Sequence, residues 1–190
     1  MDVVSFTRVI DGTREDYADH EEQEARLELG TADRVLSHLR GLSGSTGGYK
    51  IDRLQHSLQT ATRAQRDGAD EEMVVVALLH DIGDLLAPDN HAEIGASILR
   101  PYGSEANHWL VLKHGIFQGY FFWHHYDLDR NARDKYRGHP HFERTADFCE
   151  KWDQTSFDPA YDTLPIDAFP PMVQRLFERP AYDKAPRKDA

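Results

Sequence analysis

Residues 73–79 read Met-Val-Val-Val-Ala-Leu-Leu and are followed at once by His80 and Asp81. From Glu71 to Leu86 the apolar side chains go nearly all the way round a helix, so this helix belongs at the centre of a domain. An imidazole and a carboxylate buried with it cost several kcal/mol unless partners satisfy them. For the pair alone, a hydrogen-bonded core histidine beside a helix-end aspartate is a better reading than a functional site.

The surrounding segments change that balance. Ile51 to Arg66 reads as a helix with Ile51, Leu54, Leu58 and Ala61 on one face; it carries His56, and Gly68 stops it. Asp70 caps the central helix and Pro88 ends it. His91 opens a helix that runs to Leu99 and closes at Pro101 and Gly103. Ser104 caps a long helix to about Trp123, with His114 inside the apolar stretch WLVLKHGIF. Phe142 to Gln154 is helical, with Phe142, Ala146, Cys149 and Trp152 or Asp153 turned inward. Thr31 caps a helix to about Leu42, and a short helix covers Pro171 to Phe177. Asn131 to Arg137 reads as irregular, and GLSGSTGG at 41–48 as a loop that is either a lid or a connector. Residues 1–30 form an arm or exposed helix, 31–180 one domain, and 181–190 a tail. No repeat and no alternating strand pattern is present, so the expected fold class is all-α, a single helical bundle.

Consecutive helices thus each present an imidazole or carboxylate from an apolar setting: His56, His80, Asp81, His91, His114 and Asp153. Imidazole nitrogen and carboxylate oxygen suit iron, manganese or zinc. Six donors exceed the set that one tetrahedral ion takes. They fit two ions bridged by a carboxylate, with Asp81 as the natural bridge. His20 and His38 read as surface residues, and the helix turns His108 away from the face of His114. His124, His125, His139 and His141 either line a substrate pocket or sit on loops.

The chain has 190 residues, enough to form one core without disulfides. Acidic residues outnumber basic ones, 33 to 22, for a formal net charge of −11. That argues against nucleic acid as a partner, because a phosphate backbone calls for a basic footprint. Cys149 is the single cysteine, expected to be a buried thiol, and no internal disulfide is available to it. A reducing, cytoplasmic location is therefore the expectation. No apolar run reaches the ~18 residues of a membrane span, and the first residues lack the features of a signal peptide. The expected partner is a small molecule, with neither nucleic acid nor membrane involved. The oligomeric state is not readable from these features.

Leu54-Gln55-His56-Ser57-Leu58-Gln59, Ala77-Leu78-Leu79-His80-Asp81-Ile82-Gly83, His91-Ala92-Glu93-Ile94-Gly95-Ala96, Lys113-His114-Gly115 and Lys151-Trp152-Asp153 together resemble the HD-domain superfamily. More narrowly they resemble its mixed-valent diiron oxygenases that cleave carbon–phosphorus bonds, relatives of myo-inositol oxygenase. The resemblance covers about residues 49–155. It implies one iron on His56, His80, Asp81 and Asp153 and a second on Asp81, His91 and His114. It further implies an Fe(II)/Fe(III) pair with O2 as co-substrate. The reaction would cleave a 1-hydroxyphosphonate to a carboxylate and phosphate. A phosphohydrolase acting on a nucleotide or phosphate ester is the alternative, since the same ligands serve hydrolysis.

The chain departs from the family pattern at two anion contacts. A basic residue or histidine is usual three positions after the motif aspartate, where this chain has Asp84, and Gln118 stands where a lysine is expected. Arg130 and Arg133, three apart, are the replacement cations expected to touch the substrate. Tyr49 is the candidate for the family's catalytic lid tyrosine. Asp84 and the aromatic run Tyr120 to Trp123 suit a cationic substrate tail, either amino or trimethylammonio.

Overall fold

A computed structural model describes residues 3–181. Eight α-helices and several single-turn helices make up the fold, and no strand occurs among the described residues. The expected all-α class is observed. None of these helices is long and apolar enough to cross a membrane.

Helix α1 (Arg14–Leu29) opens with a capping box between Thr13 and Asp16 and buries no residue. Only Gly30 separates it from α2 (Thr31–Arg40). Thr31 is therefore the first helical residue rather than the cap, and its hydroxyl accepts a hydrogen bond from Arg34 at 2.9 Å. His38, expected at the surface, is half-buried and donates from Nε2 to the carbonyl of Ile82 at 3.1 Å.

Helix α3 (Arg53–Arg66) starts at Asp52, whose carboxylate accepts from the amide of Gln55 at 2.8 Å and from that of Gly44 at 2.8 Å. One side chain thus caps the helix and ties down the glycine-rich loop before it. Helix α4 (Glu71–Leu79) is capped by Asp70, and Met73 through Leu79 are all buried in it. It ends seven residues earlier than its apolar pattern suggests. His80 closes it, and the chain turns through Asp81 into a 3-10 turn at Ile82–Leu85. Leu85 and Leu86, which prolong the pattern, are exposed.

Two glycines explain how closely the next helix approaches. A Cβ on Gly83 would lie 2.4 Å from the carbonyl oxygen of His91, and one on Gly95 would lie 2.8 Å from that of His80. Helix α5 (His91–Leu99) therefore sits against the end of α4 with backbone on backbone. Helix α6 (Glu105–Phe122) is capped by Ser104 and packs along α5. Asn131 to Arg137 contains a 3-10 turn, Ala132–Tyr136, laid on α6.

Helix α7 (Phe142–Phe148) widens into a π-turn at Cys149–Asp153. Cys149 and Asp153, four residues apart on it, are both buried. The segment beyond it returns along α3. His56 bonds the carbonyl of Ser156, Gln59 that of Asp158, and Thr62 the amide of Leu164, across sequence separations of 100, 99 and 102. Helix α8 (Pro170–Phe177) closes the bundle against α2 and α4.

Glu72 of α4 ties these layers together. It accepts from the Ser104 amide at 2.7 Å, from Asn107 at 2.7 Å and from Arg179 at 2.5 Å. Burial raises its carboxyl pKa, but these bonds outweigh burial and bring it down from 4.5 to about 2. Removing them in Glu72→Ala should cost about 2 kcal/mol in chemical denaturation at neutral pH. The folded pKa lies below the unfolded one, so the contribution is complete above pH 4.5 and fades as pH falls toward 2. The difference between wild type and variant should shrink over that window.

Candidate metal centre

Four imidazoles and two carboxylates meet where α3, α4, α5, α6 and the π-turn converge. Each imidazole is held from behind by a backbone carbonyl. His56 Nδ1 lies 2.9 Å from Ser156, His80 Nδ1 2.8 Å from Ala77, His91 Nδ1 2.7 Å from Pro88 and His114 Nδ1 2.7 Å from Val111. A carbonyl only accepts, so every Nδ1 carries the hydrogen and, in the neutral ring, every Nε2 turns a lone pair inward. His56 Nε2 and His80 Nε2 then stand 3.2 Å apart, and His91 Nε2 and His114 Nε2 3.3 Å apart. Two lone pairs at that distance repel unless a cation lies between them.

The carboxylates complete the pattern. Asp81 Oδ2 is 3.4 Å from both His56 and His80, whereas its Oδ1 is 3.0 Å from His114 and 3.4 Å from His91. Asp153 Oδ1 joins the first group, 3.3 Å from His56 and 3.7 Å from His80. Its Oδ2 is buried with no hydrogen-bond partner, as is Oε1 of Gln118, whose amide donates to Asp153 at 3.0 Å. Orphaned oxygens and facing imidazole lone pairs are donors that suit a metal ion. His56, His80 and Asp81 form one group able to hold one, Asp81, His91 and His114 another, and His80, His114 and Asp153 a third that overlaps both.

Charge in the site follows the same logic. Burial would lower the pKa of His114, but the bond to Asp81 overrides it and raises the value to about 9. His56 is shifted upward in the same way by Asp153, against burial. Burial would raise Asp81, yet the neighbouring imidazoles hold it well below the ordinary carboxylate range.

Five of the six donors are buried, and His91 is the most open, at 25% side-chain exposure. It faces a cavity of about 520 Å³ lined by Tyr49, Arg53, Asp84, Gln118 and the aromatic wall Phe121, Phe122 and Trp123. Phe157 also lines it, stacks on His56 at 4.4 Å and meets Tyr49 in a tilted contact at 4.6 Å between ring centroids.

A model of the HD domain matches residues 53–153. The chain belongs to the HD-domain family. The matched region begins at Arg53 and ends on Asp153, so it contains all six donors. HD-domain proteins are usually metal-dependent enzymes, and they bind divalent metals. No curated protein matches the chain.

Asp84 and Gln118 within the HD domain, and Tyr49 just before the matched region, line the cavity. Arg130 and Arg133 do not line it. Their guanidinium groups lie 4.3 and 3.7 Å from the centre of the Tyr120 ring. His139 stacks on Trp109 at 4.2 Å, His141 meets Trp109 edge-on, and His124 and His125 are exposed. None of these four histidines lines the cavity. Burial raises the Cys149 thiol pKa well above its usual value, in keeping with an inert side chain.

Sequence reasoning passes over Arg53 and Phe157. Arg53 stands three residues before His56 and so shares its helix face, a spacing that was there to be read. Phe157 lies beyond the last ligand in a segment without periodicity.

Two expectations follow. His114 of the metal-free protein carries a proton below about pH 9. A metal must displace it, so apparent affinity should rise with pH up to that value, with proton release visible when calorimetric titrations are run in buffers of different ionisation enthalpy. Gly83→Ala should displace the His91 backbone and lower metal content while the far-ultraviolet circular dichroism stays helical.

Proposed function

We propose that this HD domain is a non-heme diiron oxygenase that uses O2 to cleave the carbon–phosphorus bond of a 1-hydroxyphosphonate, giving a carboxylate and phosphate. The observation that carries the reading is the division of the donors over the two oxygens of Asp81. One iron would be held by His56, His80, Asp81 and Asp153 and the other by Asp81, His91 and His114. When bound as Fe(II)/Fe(III), the pair would supply Lewis acidity and one-electron chemistry toward O2. One O2 and one 1-hydroxyphosphonate together contain all the atoms of the carboxylic acid and the phosphate.

The chain's own groups prepare the reacting volume. The carbonyls behind the four imidazoles fix their tautomers, and Phe157 covers His56 from the solvent side. Phe121, Phe122 and Trp123 offer ring faces to a substrate tail. Such faces suit an amino or trimethylammonio group, so the favoured substrate is an amino- or trimethylammonio-substituted 1-hydroxyethylphosphonate. Asp84 contributes less to holding that tail, because it lies 3.0 Å from Arg53 and 3.3 Å from His91. Tyr49, exposed at the rim and tilted against Phe157, would cover the entrance.

A hydrolase acting on a nucleotide or phosphate ester is the second reading, favoured by Arg53, a cation of the kind that offsets charge on a phosphoryl group. Oxygen dependence separates the two. Iron-loaded protein given the amino- or trimethylammonio-phosphonate should consume O2 and release phosphate in equal amounts, and phosphate release should stop under anaerobic conditions. Phosphate release without O2, or nucleotide hydrolysis with manganese alone, establishes the hydrolase instead. Asp81→Asn should lose at least one metal and lower turnover by at least about a hundredfold, since even residues that only support ligands are worth up to that much. Retention of both metals and full turnover would show that Asp81 is no bridge.

A further inference from the structure

Arg53 is the one arginine or lysine among the described residues that line the cavity, and the metal-ligand cluster forms the cavity's floor. It projects from the first turn of α3, three residues before His56, with its side chain 28% exposed. Its Nε lies 3.0 Å from Asp84 Oδ2, while Asp84 Oδ1 lies 3.3 Å from His91 Nδ1. The Asp84 carboxylate thus spans from a metal-ligand imidazole to the guanidinium. Beyond this ion pair and the Tyr49 ring 5.5 Å away, the Arg53 side chain has no hydrogen-bond partner among the described residues, its backbone amide donating to the carbonyl of Ser45. A guanidinium carries five N–H donors, and one contact at Nε leaves the outer fork uncommitted.

We infer that Arg53 is the specificity-determining anion contact of this site, receiving a phosphorus oxyanion that reaches the metal ligands between it and the aromatic wall. The inference rests on the cavity being the substrate site and holds for the oxygenase and the hydrolase alike. Two terminal oxygens of a phosphonate or phosphate match the spacing of the guanidinium fork, which an ammonium group does not reproduce. Asp84 tethers Nε and balances the charge of Arg53, so the fork is oriented before the ligand arrives. Selectivity then comes from paired hydrogen bonds more than from net charge. This assignment also accounts for an acid at position 84 and an amide at 118, where cations are absent. Arg53 supplies the anion contact from the opposite helix, and Arg130 and Arg133 remain packed on Tyr120.

The test is calorimetric binding of methylphosphonate, inorganic phosphate and acetate to metal-loaded protein, with metal content measured for every variant. Arg53→Gln should retain its metal and bind methylphosphonate and phosphate at least about tenfold more weakly, the loss expected for hydrogen bonds to a charged group. Arg53→Lys should fall between the two, and acetate should bind the wild type more weakly than methylphosphonate does. Arg130→Ala and Arg133→Ala should leave all three probes unchanged. Equal binding of methylphosphonate by wild type and Arg53→Gln at matched metal content overturns the inference. So does a loss confined to Arg130→Ala or Arg133→Ala. If Arg53→Gln fails to load metal, fully loaded Arg53→Lys decides, and unchanged methylphosphonate binding there overturns it too. Since no turnover is read, failure of the oxygenase chemistry leaves this result standing, and the reverse holds as well.

Discussion

Lone-pair repulsion between imidazoles is the interaction around which this domain is arranged. Four rings have their Nδ1 hydrogens committed to backbone carbonyls, so their Nε2 atoms converge as acceptors in a volume that also holds two carboxylates. Nothing in a helical bundle favours such a gathering for its own sake. Positive charge has to enter, either as protons, which raise His114 and His56, or as metal ions, which the donor set suits better. The apolar helix α4 then has a clear purpose. Its unbroken hydrophobic surface anchors His80 and Asp81 at a fixed depth while the neighbouring helices bring the other ligands to them.

The departures from regular helix geometry fall where the donors must be aimed. α4 stops at Leu79 so that Asp81 turns one oxygen toward each group of imidazoles. The π-turn after α7 carries Cys149 and Asp153, both buried, and ends on the last ligand. Gly83 and Gly95 let the backbones of α4 and α5 touch, and His91 is positioned by that contact. At each point regularity is given up for placement of a ligand, as expected of a functional region.

Much of this was legible in the residues. The caps Asp70 and Ser104, the helix ends at Arg66 and Leu99, and the apolar surroundings of His56, His80 and His114 are encoded locally, by hydrogen-bonding side chains and by period. The end of α4 was not, because Ile82, Leu85 and Leu86 keep the apolar pattern going and the turn is set by contact with His91, which is distant in the pattern. Arg133 and Arg130 read as charged residues free to reach a ligand. Stacking on Tyr120, a tertiary contact, uses them instead. Arg53 stands one turn before His56 and its spacing was readable, but an arginine in a first helical turn is more often solvated than turned to a site.

The bonds between α3 and residues 156–164 give the centre a second significance, in the order of folding. His56 takes its orienting carbonyl from Ser156, a hundred residues along the chain, and Gln59 and Thr62 close the same long loop beside it. Contacts of such separation are slow to form, because the loop entropy is spent before any of them is gained. The first ligand helix and the last ligand, Asp153, therefore come together late, and the buried donors stay incomplete until they do. An ion that requires both ends binds the closed chain far better than any open form, and by mass action it draws the domain toward closure. The site so placed is the clasp of the domain, and the stability it confers belongs to the topology as a whole.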